Sequence, residues 1–171
     1  PLLFLFCAGA ASSQIARPQK ARLALAARTA EVAAGAELAL DAEVAIDAGW
    51  HVQAHVPTYD YLVPTELKLE LPAGFVAPAL AYPKPVRFKF AFAEDQLDVY
   101  EGTITIAVTV RVPPDTPPGA LPIKASLRYQ ACDDKSCLPP VNATASLEVQ
   151  VVAAAAQRTS PPPARTTAGP G

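Results

Sequence analysis

The chain has 171 residues, 51% hydrophobic and 18% charged, which is enough to bury one ordinary core and too apolar for a disordered protein. Its formal net charge of −2 and the lack of any Lys/Arg cluster remove the electrostatic footprint that nucleic acid or an anionic membrane surface requires. Cysteine is scarce: Cys7 near the start, then Cys132 and Cys137 close together.

In chain order, the opening run Pro1-Leu2-Leu3-Phe4-Leu5-Phe6-Cys7-Ala8-Gly9-Ala10-Ala11-Ser12-Ser13 has the apolar stretch and small residues of a secretory signal, without an initiating Met or basic segment. Residues 1–22 are therefore expected to be a truncated signal peptide and leader. Cleavage near Ala10 removes Cys7 and delivers the remainder to an oxidising compartment, where a disulfide persists. The Ala-rich residues 23–34 are compatible with a helix of open role.

From Glu37 the hydrophobic period becomes two. Leu38, Leu40, Ala42, Val44 and Ile46 alternate with Glu37, Asp41, Glu43 and Asp47, predicting a strand with one buried face. The same pattern sets Trp50, Val52, Ala54 and Val56 opposite His51, Gln53 and His55, and Leu67, Leu69 and Leu71 opposite Glu66, Lys68 and Glu70. Next come Val86, Phe88, Phe90 and Phe92, then Ile104 to Val112, then Ile123, Ala125, Leu127 and Tyr129, and lastly Leu147, Val149 and Val151.

Seven half-buried strands separated by Pro/Gly/Asp-rich turns predict an all-β antiparallel β-sandwich over residues 23–155. No amphipathic crossover helix lies between the strands, which argues against a parallel α/β sheet. After Val152 the composition shifts to Ala, Pro, Thr and Gly, so residues 156–171 are expected to be a linker or tail. Beyond the opening segment, no apolar run is long enough to span a bilayer.

The chemistry concentrates in Arg128-Tyr129-Gln130-Ala131-Cys132-Asp133-Asp134-Lys135-Ser136-Cys137-Leu138-Pro139-Pro140. Counting from Ile123 puts Ala125, Leu127, Tyr129 and Ala131 inward, so Cys132 falls on the polar parity and is not an obvious core residue. If residues 133–136 form a four-residue hairpin loop, Cys132 and Cys137 face each other across a non-hydrogen-bonded pair at roughly 4.5–5.5 Å between Cα atoms, within disulfide range. Closing so short a loop stabilises by about 2 kcal/mol, against about 4 kcal/mol for a bridge spanning some sixty residues. As a staple it is poorly placed, whereas a short, partly exposed loop lets an incoming thiolate exchange with the bridge. Redox exchange, a local structural disulfide and a metal pair all remain open on these residues.

A metal site draws little support from the histidines. His51 and His55 lie four residues apart on one predicted strand, about 13 Å at 3.3 Å per residue, too far for one zinc ion. Glu94, Asp95 and Asp98 read as a solvated turn, and Asn142-Ala143-Thr144 is a short match to a glycosylation sequon. No Gly-rich phosphate loop or Ser/His/Asp arrangement suggests a hydrolase or nucleotide enzyme.

Several segments together resemble a known family. Trp50-His51-Val52-Gln53-Ala54-His55, Tyr61-Leu62-Val63-Pro64-Thr65, Tyr82-Pro83-Lys84-Pro85, Val99-Tyr100-Glu101-Gly102 and Tyr129-Gln130-Ala131-Cys132 with Cys137-Leu138-Pro139-Pro140 are similar, in order and spacing, to the N-terminal periplasmic domains of the thiol:disulfide interchange protein DsbD. The likeness covers about residues 35–152.

The resemblance implies an immunoglobulin-like sandwich that relays reducing equivalents as part of a protein-disulfide reductase, by thiol–disulfide exchange with no cofactor and no metal. It implies a thioredoxin-like electron-donor domain on one side. On the other it implies oxidised periplasmic thiol proteins of the isomerase or cytochrome c maturation type. By position, Cys137 forms the mixed disulfide with either partner and Cys132 closes the intramolecular Cys132–Cys137 disulfide. Family members shield their cysteines with an aromatic cap, and Tyr82 is the candidate here. The rival expectation is a secreted sandwich for binding or adhesion, with a bridge that only pins a hairpin.

Overall fold

Alternating polarity commits most of this chain to extended backbone, and a computed structural model, which describes residues 18–154, shows strands throughout. The signal-like run, Cys7 and the Pro/Ala/Thr-rich tail lie outside the described residues. The strands are β1 (Ala21–Ala27), β2 (Glu31–Ala33), β3 (Glu37–Ile46), β4 (His51–Gln53), β5 (Glu66–Glu70), β6 (Ala79–Ala81), β7 (Val86–Phe88), β8 (Leu97–Tyr100), β9 (Thr103–Arg111), β10 (Gly119–Tyr129), β11 (Ala131–Cys132) and β12 (Val141–Val152). Each of the seven expected strands is present. The other five, β1, β2, β6, β8 and β11, are short or Ala-rich.

The stretch compatible with a helix is instead β1 and β2. Ala21, Leu23, Leu25 and Ala27 turn inward while Arg22, Ala24 and Ala26 face solvent, and β1 pairs antiparallel with β3 from Ala21 opposite Ile46 to Ala27 opposite Leu40. Alanine's helix propensity is a weak prior, and here the pairing and burial offered by β3 override it.

The strands form three four-stranded sheets, in the orders β1-β3-β9-β6, β2-β12-β10-β5 and β11-β4-β8-β7. Among the described residues every strand pairing is antiparallel except that of β2 with β12. The first two sheets are the layers of an immunoglobulin-like β-sandwich. Leu38, Leu40, Ala42 and Val44 from β3 and Ile106, Val108 and Val110 from β9 meet Leu121, Ile123, Ala125 and Leu127 from β10 in the core between them. Tyr129 joins the layers, because its hydroxyl accepts hydrogen bonds from the Lys20 and Ala21 amides and donates to the Ala21 carbonyl.

The small third sheet positions the site. One of its faces, carrying Val52, Tyr100 and Ala131, completes the main core. The chain enters this sheet from β10 at Gln130 and leaves it for β9 through Gly102, whose φ of 63° is left-handed backbone that glycine adopts without strain.

Candidate functional site

Cys132 ends β11 and Cys137 returns opposite it, with an S–S bond of 2.05 Å and Cα atoms 4.0 Å apart. The Asp133 N–H donates to Ser136 O at 3.0 Å and the Leu138 N–H donates to Ala131 O at 2.8 Å. Bonds on both flanks and none between the cysteines define a non-hydrogen-bonded antiparallel pair. Asp133 holds the turn: its Oδ1 accepts the amides of Lys135 at 2.9 Å and Ser136 at 2.8 Å, an Asx arrangement. Those two backbone hydrogen bonds keep its carboxyl below the ordinary aspartate value.

Burial of the two cysteines is unequal. Cys132 is 0% exposed, whereas Cys137 is half-buried and Asp134, Lys135 and Ser136 are exposed. The expectation of a cysteine off the core is corrected here. Cys132 does lie on the face opposite Ala131, as alternation requires, but that face is covered. Phe90, Leu97 and Val99 form a second apolar cluster with Cys132, and Tyr59, Leu62, Phe88, Ala93 and Cys137 pack on its edge.

The roof comes from an expected strand that stops early. β7 ends at Phe88, after which the chain folds over so that Phe88 and Phe90 meet edge to face at 4.7 Å and Phe90 stacks on Phe92 at 5.1 Å. Phe90 is wholly buried and Phe92 is 47% exposed. Beside Phe92, an open groove of about 300 Å³ is lined by Tyr59, Tyr61, Leu62, Ala93, Glu94 and Leu97. Tyr61 stands 75% exposed on its rim and stacks on Tyr59, whose hydroxyl bonds Asp95. That carboxylate raises the Tyr59 pKa above its ordinary value.

Covering the third sheet also buries the supposedly polar side of β4. His51, opposite Cys132 in the ladder, sits under Phe88 at 3.9 Å between ring centres and contacts Glu101 Oε2 through Nε2 at 3.1 Å. Gln53 is fully buried, and its Nε2 donates to Cys132 Sγ at 3.6 Å. Both residues were expected on a solvated face. Period-two alternation separates the two faces of a strand without revealing that both are covered.

Tyr82 is set elsewhere. It follows β6, which pairs with β9 in the first sheet, so it packs against the main core rather than the cluster around Cys132. Its ring stacks on His55 at 3.7 Å, its hydroxyl accepts the Leu67 amide at 2.8 Å, and burial raises its pKa. His55 in turn contacts Thr65 O through Nδ1 at 3.0 Å. The aromatic side chains in or against the cluster around Cys132 are Phe88, Phe90 and Tyr59. The Phe-x-Phe-x-Phe run was visible in sequence, but read as one regular strand it gave no sign of folding over.

The profile of the family described as "Thiol:disulfide interchange protein DsbD, N-terminal" matches residues 19–149. Among solved structures, the N-terminal periplasmic domain of ScsB from Proteus mirabilis is 15% identical with a TM-score of 0.53, over 74% of this chain and 46% of that one. The chain thus spans about half the length of that relative. The reduced DsbD N-terminal domain of Neisseria meningitidis is 18% identical, with a TM-score of 0.38 over 68% of this chain and 80% of that one. A further match is the complex between the DsbD and PilB N-terminal domains of the same organism, at 18% identity and a TM-score of 0.41 over 76% of this chain and 80% of that one. No curated protein matches in sequence. With the family profile covering most of its length and a paired dithiol in its third sheet, the chain belongs to the DsbD N-terminal family of thiol:disulfide interchange domains.

Proposed function

We propose that this is a periplasmic domain that relays reducing equivalents through Cys132 and Cys137, from a thioredoxin-like dithiol donor to oxidised periplasmic thiol proteins. One observation carries the reading: a hairpin disulfide between a fully buried cysteine, Cys132, and a half-buried one, Cys137, beside an exposed loop. A bridge meant only to staple gains little from closing so short a loop, whereas asymmetric access gives exchange a direction.

The steps follow from that asymmetry. A donor thiolate attacks Cys137 Sγ, the Cys132–Cys137 bond breaks, and Cys132 leaves as a thiolate that takes up a proton. The donor's second thiolate then attacks the mixed disulfide and frees Cys137. Two electrons and two protons have passed from donor to domain. In the forward relay the Cys137 thiolate attacks an acceptor disulfide, and Cys132 resolves the mixed disulfide by attacking Cys137.

The shielding role first assigned to Tyr82 suits the segment around Phe88, Phe90 and Phe92 better, since these side chains lie over or beside Cys132. A cover of this kind protects the dithiol from unselective oxidants until a partner moves it aside. The groove at Tyr59, Tyr61 and Phe92 offers that partner an apolar foothold next to the bridge.

The deciding experiment is the reduction potential, measured by equilibrating the purified chain in graded thiol/disulfide buffers and counting free thiols. A midpoint among the thioredoxin-like couples, roughly −270 to −120 mV, supports a relay. A midpoint below about −300 mV marks a structural bridge and returns the protein to the class of binding sandwiches.

A further inference from the structure

Glutamine is seldom buried completely, because its carboxamide brings two donors and an acceptor oxygen that must find partners away from water. Gln53 is 0% exposed at the centre of the third sheet, beside Val99 in the ladder. Its Nε2 donates to Cys132 Sγ at 3.6 Å, while its Oε1 is buried with no hydrogen-bond partner among the described residues. Leaving such an acceptor unsatisfied is unfavourable, and a Leu or Met here would avoid the penalty. The orphan atom belongs to the same amide that touches the sulfur, which suggests what it is for.

A disulfide sulfur only accepts hydrogen bonds; a thiol also donates one. When the bridge is reduced, Cys132 acquires an S–H inside an apolar cluster, with the Gln53 carboxamide at hand. We propose that Gln53 is a positioning residue for the exchange reaction, its amide N–H stabilising Cys132 as it leaves and its idle carbonyl receiving the Cys132 S–H once the dithiol forms. The oxidised site carries the unsatisfied acceptor and the reduced site relieves it, so Gln53 biases the equilibrium toward the dithiol.

The proposal rests on the relay reading for its relevance, and it has its own signature. In the balanced reaction a donor dithiol delivers two electrons and two protons: one S–S bond breaks in the domain, one forms in the donor, and one transferred proton resides on Cys132. Gln53→Met keeps the length of the side chain and removes both the donor and the acceptor. The oxidised variant is expected to melt no lower than the wild type, because the orphan oxygen has gone. Its equilibrium constant for reduction should fall about fivefold, the net worth of one hydrogen bond, which is a midpoint about 20 mV more negative. A residue with a purely structural role would move the melting temperature and leave the midpoint alone.

The test is a redox titration of the wild-type chain and Gln53→Met against dithiothreitol, with thermal melts of both oxidised forms. An unchanged midpoint in a folded variant overturns the proposal. If the variant does not fold, infrared spectra of the reduced Cys7→Ser chain, whose remaining cysteines are Cys132 and Cys137, decide instead. One S–H stretch lowered to the position of a carbonyl-bonded thiol supports the assignment, and two free thiol bands defeat it. A wild-type bridge that resists reduction would sink the relay reading itself, a result distinct from either Gln53 outcome.

Discussion

Cys132 is sealed beneath Phe90, Leu97 and Val99, while Cys137, bonded to it, stands half-buried beside a loop of three exposed residues. Accessibility rather than chemical identity therefore separates the two sulfurs, and the separation predicts which of them meets a partner. With Cys132→Ala, Cys137 should form a stable mixed disulfide with an oxidised thiol probe. In a Cys7→Ser background, Cys137→Ala should react at least about tenfold more slowly, because its remaining thiol, Cys132, is enclosed. Mass spectrometry of both variants over time gives the comparison, and equal rates would remove the basis for assigning the roles.

The roof over the bridge makes a second expectation specific. Phe90 is wholly buried and Phe92 is about half exposed, although they are two residues apart and stacked. Phe90→Ala should destabilise by about 3–5 kcal/mol, as for large aromatic truncations in cores, and should speed reduction by dithiothreitol. Phe92→Ala should change stability by less than about 1 kcal/mol. Urea unfolding with parallel reduction kinetics tests both. A Phe90→Ala domain that is reduced no faster than the wild type would show that the cover does not limit access.

Away from the site, Tyr129 ties the two layers together. Its buried hydroxyl contacts the Lys20 amide at 3.1 Å, the Ala21 amide at 3.0 Å and the Ala21 carbonyl at 3.2 Å. Tyr129→Phe leaves those groups without their side-chain partner and should lower stability by about 1–3 kcal/mol. Hydrogen exchange at Ala21 should accelerate while the dithiol keeps its midpoint. A variant as stable as the wild type would mean that water replaces the hydroxyl fully.

How far the sequence foretold this depended on whether a strand had one face covered or two. β3, β5, β9, β10 and β12 each set a buried row against a polar row, and alternation located them. β1 escaped because Ala24 and Ala26 on its open face are themselves apolar and blunt the alternation, and β11 because two residues carry no period. At the site, the cysteine pair and its hairpin were legible from spacing and turn residues. The burial of Cys132, His51 and Gln53 was not, since it follows from the chain folding over after Phe88, a tertiary event that local pattern does not encode. The position of Tyr82 against the main core was hidden for the same reason: its place depends on β6 pairing with β9.

Asp133 ties the loop to pH. Its carboxylate accepts the Lys135 and Ser136 amides, and these bonds hold its folded pKa below the ordinary value. A carboxyl depressed in the folded state contributes fully above its unfolded pKa of about 3.9, and that contribution disappears as pH falls through the lower folded value. The turn should therefore be indifferent to pH between 5 and 8 and loosen only in acid below about pH 4. Chemical shifts of the Lys135 and Ser136 amides, followed from neutral pH downward, should move together with the Asp133 carboxyl carbon. Asp133→Ala should abolish that step and broaden the loop resonances even at pH 7, while Asp133→Asn, which keeps an acceptor oxygen, should hold the turn and lose the titration. Because the turn sets Cys137 opposite Cys132, the Ala variant should also shift the disulfide equilibrium toward the open dithiol. If the Ala variant's loop amides match the wild type at pH 7, the backbone bond from Asp133 to Ser136 is sufficient alone, and the side chain has no part in presenting Cys137.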